Sequence, residues 1–410
     1  MSVREDANKI IKTAIAAAMP DTAVQKALSE IDFAGRKVHL VAIGKAAWQM
    51  AYAAWSLKGS EIADGIVITK YDHSKGEIGS LRIFEAGHPV PDENTYLATG
   101  EVVKAAEGWG EDDAVLFLIS GGGSALFEKP LVPEAELQDI TSQMLACGAD
   151  IVEINTIRKR LSAVKGGKFA QLCAPARVYS VILSDVLGDP IDSIASGPAY
   201  PDSRTTQDAL NIVRKYGLKV SDAALALMSG ETPKELDNVE TRVTGSVSQL
   251  CAAAGRTALE LGYEPIVLTD MLNCTARDAG AFLAAIAKTH VKDGRSLAYI
   301  AGGETVVKLT GKGMGGRNQE IALSAAQGIA GLEGVAVFSV GSDGTDGPTD
   351  AAGGYADWLT AGQLKEMGIS ISDVLADNDS YHALQKTDGL IITGPTGTNV
   401  NDVAVLLIKA

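Results

Sequence analysis

Residues 114–124 read AVLFLISGGGS, an unbroken apolar run that ends in three glycines between two serines. Such a run is typical of a strand that is covered on both faces of its sheet, and the glycines mark a tight turn before a helical pattern. Further stretches repeat this unit, and they begin at Lys37, Val178, Glu264, Ser296 and Val335. The repeat predicts an α/β fold with mostly parallel sheets.

The length of 410 residues exceeds what one ordinary hydrophobic core organises, so we expect two domains. One polar stretch, Gly230–Gly245, separates a helical pattern from a fresh run of α/β units. We therefore predict a boundary there, with domains at residues 1–235 and 236–410.

The formal net charge of −15 argues against binding to nucleic acid or to an anionic membrane surface. An anionic ligand would need local cations and backbone amides. The N-terminal segment lacks a signal-peptide pattern, and no stretch approaches the ~20 apolar residues of a membrane span, which predicts a cytoplasmic protein. The four cysteines form no CxxC pair, so neither a zinc site nor a disulfide framework is expected.

In open α/β sheets, ligands bind at the carboxyl ends of the strands, where turns and helix N-termini present free N–H groups. Lys45 directly follows Gly44 at the end of a predicted strand. A cation at the start of a helix opposes the helix dipole unless it serves an anion. Lys45 is thus either an anion ligand or a solvent-exposed lysine.

The second turn comprises Ser120, Gly121, Gly122, Gly123 and Ser124. Its three glycines carry no Cβ, so backbone amides can approach a phosphate closely. The alternative is a turn that is merely tight. No GxxxxGK[ST] sequence occurs in the chain, which argues against a P-loop NTPase.

The third turn is acidic, with Asp185 and Asp189 at the end of another predicted strand. Carboxylates of this kind suit Mg²⁺, although single aspartates in such turns are often helix caps. Both aspartates together, beside serines, favour a metal–phosphate site, and the residues predicted to contact it in and after this turn are Ser184, Asp185, Gly188, Asp189, Ser196, Gly197 and Pro198.

Gly311, Gly313 and Gly316 satisfy GxGxxG, but the flanking basic residues and the lack of a clear βαβ unit make this a weak dinucleotide signal. We interpret the segment as a mobile glycine loop that presents Arg317 at the start of a helix. The guanidinium of Arg317 would bind a carboxylate or a phosphate; the alternative is a surface arginine on the first turn of a helix.

Two further loops carry polar residues. The turn from Gly341 to Asp350 alternates Asp and Gly, which predicts Asp343 as a cation ligand without the spacing of an EF-hand. His88 lies in GHPVPD, where two prolines stiffen the loop and could hold the imidazole toward a ligand.

Together these turns resemble the ordered signature blocks of the MOFRL-class glycerate 2-kinases. The resemblance runs from about Val41 to about Leu407 and rests on AGHPVPDE, SGGGSAL, INTIRKRLSAVKGGKFA, SDVLGDPIDSIASGP, GGETVVKLTGKGMGGRNQE, GSDGTDGPTDAAG and LADNDSYHALQKTDGLIITGPTGTNVNDV.

The resemblance implies transfer of the ATP γ-phosphoryl group to the 2-hydroxyl of D-glycerate with Mg²⁺. It also implies a Rossmann-like three-layer N-terminal domain, a MOFRL-type C-terminal domain and an active site between them, in a monomer or a homodimer. Lys45 and Arg317 would be catalytic. Contacts to the substrate or nucleotide are expected from Lys45, Ser120, Gly121, Gly122, Gly123, Ser124, Glu304 and Arg317, and metal contacts from Asp185, Asp189 and Asp343.

Two other functions compete with this one. An NAD(P)H-dependent hydroxypyruvate reductase is a name that the family has also carried, and GxGxxG is its only support here. A non-catalytic sensor of a sugar acid or phosphate is disfavoured, because its acidic turns would repel an anionic ligand.

Overall fold

The structure, a computed structural model, describes residues 2–184, 186, 188 and 191–410. The chain folds into two compact units. The first unit contains Ala23–Ser184 and residues 191–244, and the second contains residues 2–22 and Gly245–Ala410. Within the described ranges, no helix is both long and apolar enough to cross a lipid bilayer.

The strands of the described residues are β1 (Lys37–Ile43), β2 (Ile62–Lys70), β3 (Arg82–Ala86), β4 (Asp113–Ile119), β5 (Arg177–Leu183), β6 (Val239–Gly245), β7 (Glu264–Leu272), β8 (Leu297–Gly303), β9 (Val335–Gly341), β10 (Gly353–Asp357), β11 (Leu390–Ile391) and β12 (Asp402–Ile408). The helices are α1 (Val3–Ala17), α2 (Pro20–Glu30), α3 (Ala47–Lys58), α4 (Glu93–Ala106), α5 (Gly123–Leu126), α6 (Glu134–Ala146), α7 (Ile151–Leu161), α8 (Lys168–Cys173), α9 (Thr206–Tyr216), α10 (Asp222–Met228), α11 (Val247–Glu260), α12 (Ala276–His290), α13 (Arg317–Ile329), α14 (Thr360–Glu366), α15 (Ile371–Ala376) and α16 (Ser380–Lys386).

The sheet of the first unit has the strand order β3-β2-β1-β4-β5-β6. Strands β1 to β5 pair in parallel, as the apolar runs predict. This is the order of doubly wound sheets, in which the chain reverses its direction of winding between β1 and β4. Ile43 and Ile119 are register partners at the carboxyl ends of these two strands. The turns that follow β1 and β4 therefore meet at the reversal, where such sheets bind ligands.

The sheet of the second unit has the order β11-β10-β9-β12-β8-β7 and is mixed. Among the described strand pairs of this sheet, only β7 and β8 are parallel. Strand β12 lies between β8 and β9 and runs antiparallel to both, and β10 runs antiparallel to β9 and β11. The expectation of mostly parallel sheets is confirmed for the first unit and wrong for the second. An apolar run such as that of β12 predicts burial but carries no information about strand direction.

Helix α1 packs with the second unit although it lies at the N-terminal end of the chain. Asp6 on this helix is 1% exposed, and its carboxylate accepts hydrogen bonds from Tyr263 Oη at 2.8 Å and Lys409 Nζ at 2.7 Å. Strand β6 completes the sheet of the first unit. The first unit thus extends to Thr244, and α1 belongs to the second unit. The division into domains at residues 1–235 and 236–410 stays a prediction.

Candidate active site

The turn after β1 holds Lys45 against the turn after β4. The Lys45 N–H donates to the carbonyl of Gly121 at 2.9 Å, and the Ala46 N–H donates to Ser120 Oγ at 3.0 Å. The Lys45 ammonium group is partly exposed and makes no ion pair within the described residues. Lys45 is therefore a cation that remains available to an anion.

The glycine turn presents amide groups at the same place. The N–H groups of Gly121 and Gly122 have no hydrogen-bond partner in the part of the chain that the structure describes. Gly122 has φ +83°, in the left-handed region, and α5 begins at Gly123. Two free amides beside Lys45 form a cradle that suits a phosphate or a carboxylate.

His88 lies against this cradle. A methyl group added to Gly122 would lie 3.0 Å from Nε2 of His88 and 3.2 Å from Cγ of Lys45. Burial lowers the pKa of His88 below its ordinary value, and the charges of Lys45, Lys70 and His73 lower it further. The imidazole is consequently neutral near pH 7 and can accept a proton or a hydrogen bond.

Two cationic side chains, Lys165 and Arg158, donate hydrogen bonds to the Ser124 carbonyl at the end of the glycine turn. Our sequence reasoning gave neither of them a role. Lys165 Nζ donates to the carbonyls of Ser124 at 2.7 Å and Phe127 at 2.9 Å, and an Arg158 guanidinium nitrogen lies 3.3 Å from the Ser124 carbonyl. Lys165 is fully buried beside the equally buried carboxylate of Glu128, 3.5 Å away. Burial lowers the pKa of Lys165 to about 8, with the charge of Glu128 opposing the shift. The only hint in the sequence was the density of basic residues in INTIRKRLSAVKGGKFA.

Ser196 connects the glycine turn to a strained segment. Its hydroxyl lies 3.0 Å from Ser124 Oγ and 3.1 Å from Asn155 Oδ1. Ala195, Ser196 and Gly197 have φ values of +51°, +61° and +62°. Consecutive non-glycine residues in the left-handed region persist only where their surroundings fix them, and such strain clusters at functional sites.

The other predicted nucleotide contacts of this region are placed as follows. Ser184 is buried directly after β5, Gly188 is exposed, and the Pro198 carbonyl accepts the N–H of Ala170 at 3.2 Å. Asp185 and Asp189 lie outside the described residues, so their predicted roles in holding a metal remain predictions.

Arg317 begins α13, as predicted, but its guanidinium is already paired. It forms a two-pronged contact with the carboxylate of Asp402 at 2.5 and 3.1 Å and lies 3.0 Å from Glu304 Oε1. Burial alone would lower the pKa of Arg317, but the hydrogen bonds and charges of Asp402 and Glu304 raise it. The Asp402 side chain is 8% exposed and Glu304 is 48% exposed, so Glu304 is the partner that an incoming anion would displace more easily.

The sequence predicts a mobile loop at Gly311–Gly316, and the structure shows most of this segment hydrogen-bonded to residues 377–379. Asn378 Oδ1 accepts the N–H groups of Thr310 at 2.7 Å and Gly311 at 2.9 Å, while Asp377 and Asp379 accept those of Lys312, Gly313 and Met314. A methyl group at Gly313 would overlap Asp377 and Asp379. These glycines therefore permit close packing rather than motion. The N–H groups of Gly311 and Gly313, the first two glycines of the dinucleotide motif, are thus already bonded within the protein and do not point to a pyrophosphate.

A pocket of about 680 Å³ lies beside Arg317 in the second unit. Glu304 and the exposed side chains of Val306 and Leu309 contribute to its wall, with Asn273 and Asn378 at its polar side. The pocket thus combines an apolar wall with the Arg317 charge, as ligand sites commonly do.

Asp343 and Asp346 follow β9 but differ in environment. Asp343 Oδ1 accepts the Thr345 N–H at 2.9 Å, whereas Asp346 is 2% exposed and accepts the N–H groups of Asn318 at 3.1 Å and Gln319 at 2.9 Å. Among the described residues, no three His, Cys, Asp or Glu side chains converge as metal ligands. Asp343 by itself does not make a metal centre.

Family models match two segments of the chain. A domain of unknown function, DUF4147, matches residues 6–229, and the MOFRL family matches residues 297–402. The chain belongs to the MOFRL family. This confirms the resemblance that the sequence blocks carry.

Individual relatives are similar in sequence to this MOFRL-family chain over 99–100% of its length. A D-glycerate 2-kinase from Thermotoga maritima is 51% identical, with 99% of both chains covered. The crystal structure of a glycerate kinase from Thermotoga maritima matches with a TM-score of 0.95 at 51% identity, again over 99% of both chains. A protein from Agrobacterium vitis, provisionally named a hydroxypyruvate reductase, is 38% identical over 100% of this chain and 95% of its own.

Proposed function

We infer that this protein is a glycerate 2-kinase, which transfers the γ-phosphoryl group of ATP to the 2-hydroxyl of D-glycerate and releases ADP. The observation that carries this conclusion is the 51% identity over 99% of both chains to a D-glycerate 2-kinase. The reductase name belongs to a relative of lower identity, and the N–H groups of the first two glycines of GxGxxG are already bonded within the protein.

The first unit supplies groups that phosphoryl transfer requires. This reaction depends on alignment of the reactants and neutralisation of phosphate oxygens more than on covalent chemistry by the protein. We assign the free amides of Gly121 and Gly122 and the unpaired ammonium of Lys45 to oxyanions of the substrates. Lys165 and Ser196 would stabilise the conformation of the turn through their hydrogen bonds with Ser124.

We further propose that Arg317 binds an anionic group after exchanging Glu304 for it, while Asp402 keeps the guanidinium oriented. A guanidinium group that one carboxylate already orients loses less conformational freedom when it binds an anion. The remaining predicted contacts, at Ser120, Gly123, Ser184, Gly188, Ser196, Gly197, Pro198 and Glu304, belong to the same proposal.

We propose that Mg²⁺ enters with ATP, because this ion usually keeps several waters and bridges phosphates to one or two carboxylates. Asp343 is the described candidate among the predicted ligands, and Asp185 and Asp189 complete the predicted set. Bound Mg²⁺ would neutralise phosphate charge. Chelation by EDTA should abolish turnover, and titration with MgCl₂ should restore it.

The decisive assay is ADP formation by the purified protein with D-glycerate, ATP and MgCl₂. ³¹P NMR of the product distinguishes 2-phosphoglycerate from 3-phosphoglycerate, which tests the hydroxyl that is modified. A parallel reaction with hydroxypyruvate and NADH should leave the nicotinamide absorbance unchanged. Oxidation of NADH without ADP formation from glycerate would replace the kinase by the reductase.

A further inference from the structure

One titratable side chain at the glycine turn has so far no function in the reaction. His88 lies within contact distance of the position that a Gly122 side chain would occupy, 3.0 Å from Nε2. Neither ring nitrogen has a hydrogen-bond partner among the described residues, and the side chain is partly exposed. Its nitrogen lone pair is therefore available to a molecule bound at the turn.

The surrounding charges decide the protonation state of this ring. Lys45, Lys70 and His73 are the charged or titratable groups that act on it, and each disfavours the imidazolium. The carboxylates on either side of the His88 loop, Glu85 on β3 and Asp92 at the start of α4, are engaged elsewhere. Asp92 accepts the Thr95 N–H at 3.0 Å and the Tyr71 hydroxyl at 2.7 Å, and Glu85 accepts the N–H of Ser74 at 2.9 Å.

These contacts also hold His88 in place. Asp92 caps helix α4, and a methyl group on Gly87 would lie 2.9 Å from the Asp92 carboxyl carbon. The loop on both sides of His88 is thus packed against the start of a helix. A base must be held within hydrogen-bond reach of the proton that it removes, and a packed loop meets this need.

We propose that His88 is the general base that removes the proton from the acceptor hydroxyl of glycerate; the proposal rests on the kinase function inferred above. A ring nitrogen takes the hydroxyl proton while the oxygen forms its bond to the γ-phosphorus. The bond from that phosphorus to the oxygen bridging the β-phosphate breaks, and ADP leaves with the electron pair. The imidazolium then returns its proton to water.

Lys45 serves a different purpose in this scheme. Its ammonium group has no lone pair, so it binds oxyanions and, by its charge, keeps His88 unprotonated before the reaction. The neutral imidazole and the cation thus divide proton transfer and charge neutralisation between them, both beside Gly122.

The test combines kinetics with the titration of His88. His88→Gln keeps a polar side chain but has no basic nitrogen, and we expect its kcat to fall about 100-fold or more, with KM changed far less. In the wild type, kcat/KM should decline at acidic pH with an apparent pKa below about 6.5, and this decline should disappear in His88→Gln. His290→Gln, on a partly exposed histidine paired with Asp293, is the matched control and should retain wild-type kinetics.

A readout on the wild type keeps the proposal testable even if His88→Gln does not fold. NMR titration of the His88 ring should give the same pKa as the acidic limb of kcat/KM, and D-glycerate should shift its resonances. An active wild type without this acidic limb, or a folded His88→Gln enzyme within a few-fold of wild-type kcat, overturns the assignment of the base alone. A wild type that forms no ADP from glycerate overturns the kinase function, and His88 as its base falls with it.

Discussion

Lys165 Nζ lies 2.7 Å from the carbonyl oxygen of Ser124 and so ties a buried ammonium group to the turn that follows β4. The same group binds the Phe127 carbonyl and faces the buried Glu128. The turn whose amides we propose as oxyanion ligands thus depends on a cation that is fully hidden from solvent.

We expect Lys165→Met to lower the free energy of unfolding by about 3–5 kcal/mol, because Glu128 then loses its nearest cation inside the protein. The turn also loses two hydrogen bonds, so kcat should fall. Urea unfolding and steady-state kinetics measure the two effects. Lys215→Met, which breaks a surface pair with Glu153, is the control and should change the free energy of unfolding far less, because water screens an exposed ion pair.

Gly122→Ala tests whether the space beside His88 and Lys45 is needed for substrate. The positive φ of +83° alone should cost about 1–2 kcal/mol of stability. Gly148→Ala is the matched control, since Gly148 has φ +72° and nothing within 4 Å of an added methyl group. We expect a similar loss of stability in both variants but a raised KM only in Gly122→Ala. Equal KM values would show that the turn does not contact substrate.

Gly313→Ala tests the anchored glycine segment. The added methyl group would overlap Asp377 and Asp379, so we expect a loss of about 1–3 kcal/mol. Gly362→Ala, at an exposed position of helix α14 where an added methyl group would have nothing within 4 Å, should instead gain about 0.5–1 kcal/mol. A Gly313→Ala protein as stable as the wild type would favour the mobile loop that the sequence alone indicates.

Part of the candidate site could be predicted from the sequence, and part could not. Lys45 and the Ser120–Ser124 turn could be predicted because buried strands end visibly at glycines, and parallel strands bring such ends together. The role of Lys165 could not be predicted, because lysine side chains are almost always solvent-exposed and only the fold shows that this one, in the turn before α8, is enclosed.

Three other features depend on tertiary structure. Asp402 is separated from Arg317 by 85 positions, and no local pattern joins them. The mixed second sheet arises because β12 inserts between β8 and β9, which its composition does not reveal. Glycine permits both motion and close approach, and only the contacts with Asn378 and its neighbours distinguish the two.

The stability of the second unit should depend on the protonation of Asp346. Burial raises the pKa of this carboxyl from 3.8 to about 6, although the N–H groups of Gln319 and Asn318 lower it. Between these values the folded chain holds a proton that the unfolded chain has lost, so the contribution of Asp346 to the free energy of unfolding falls as the pH rises. The unfolding free energy of the wild type minus that of Asp346→Asn should therefore fall from about pH 4 to pH 6 and then level off. Urea unfolding across this range checks it, and a constant difference contradicts it.

Arg317→Ala should have two separable effects. It leaves Asp402 as a buried carboxylate without its cation, which should cost about 3–5 kcal/mol in the free energy of unfolding. It also removes the proposed anion ligand, which should lower kcat by about 100-fold or more. The double variant Arg317→Ala/Asp402→Asn removes the unpaired charge as well.

We therefore expect the double variant to recover most of the lost stability while its turnover stays low, because an uncharged amide at position 402 needs no cation but cannot bind the substrate in place of Arg317. Urea unfolding and ADP formation, measured on the same preparations, separate the two effects. Lys45→Ala combined with Arg317→Ala then tests whether the two cations act on the same bound substrate, since coupled residues give non-additive losses in kcat/KM. Recovery of both stability and turnover in Arg317→Ala/Asp402→Asn would show that Arg317 only pairs with Asp402 and does not act in catalysis.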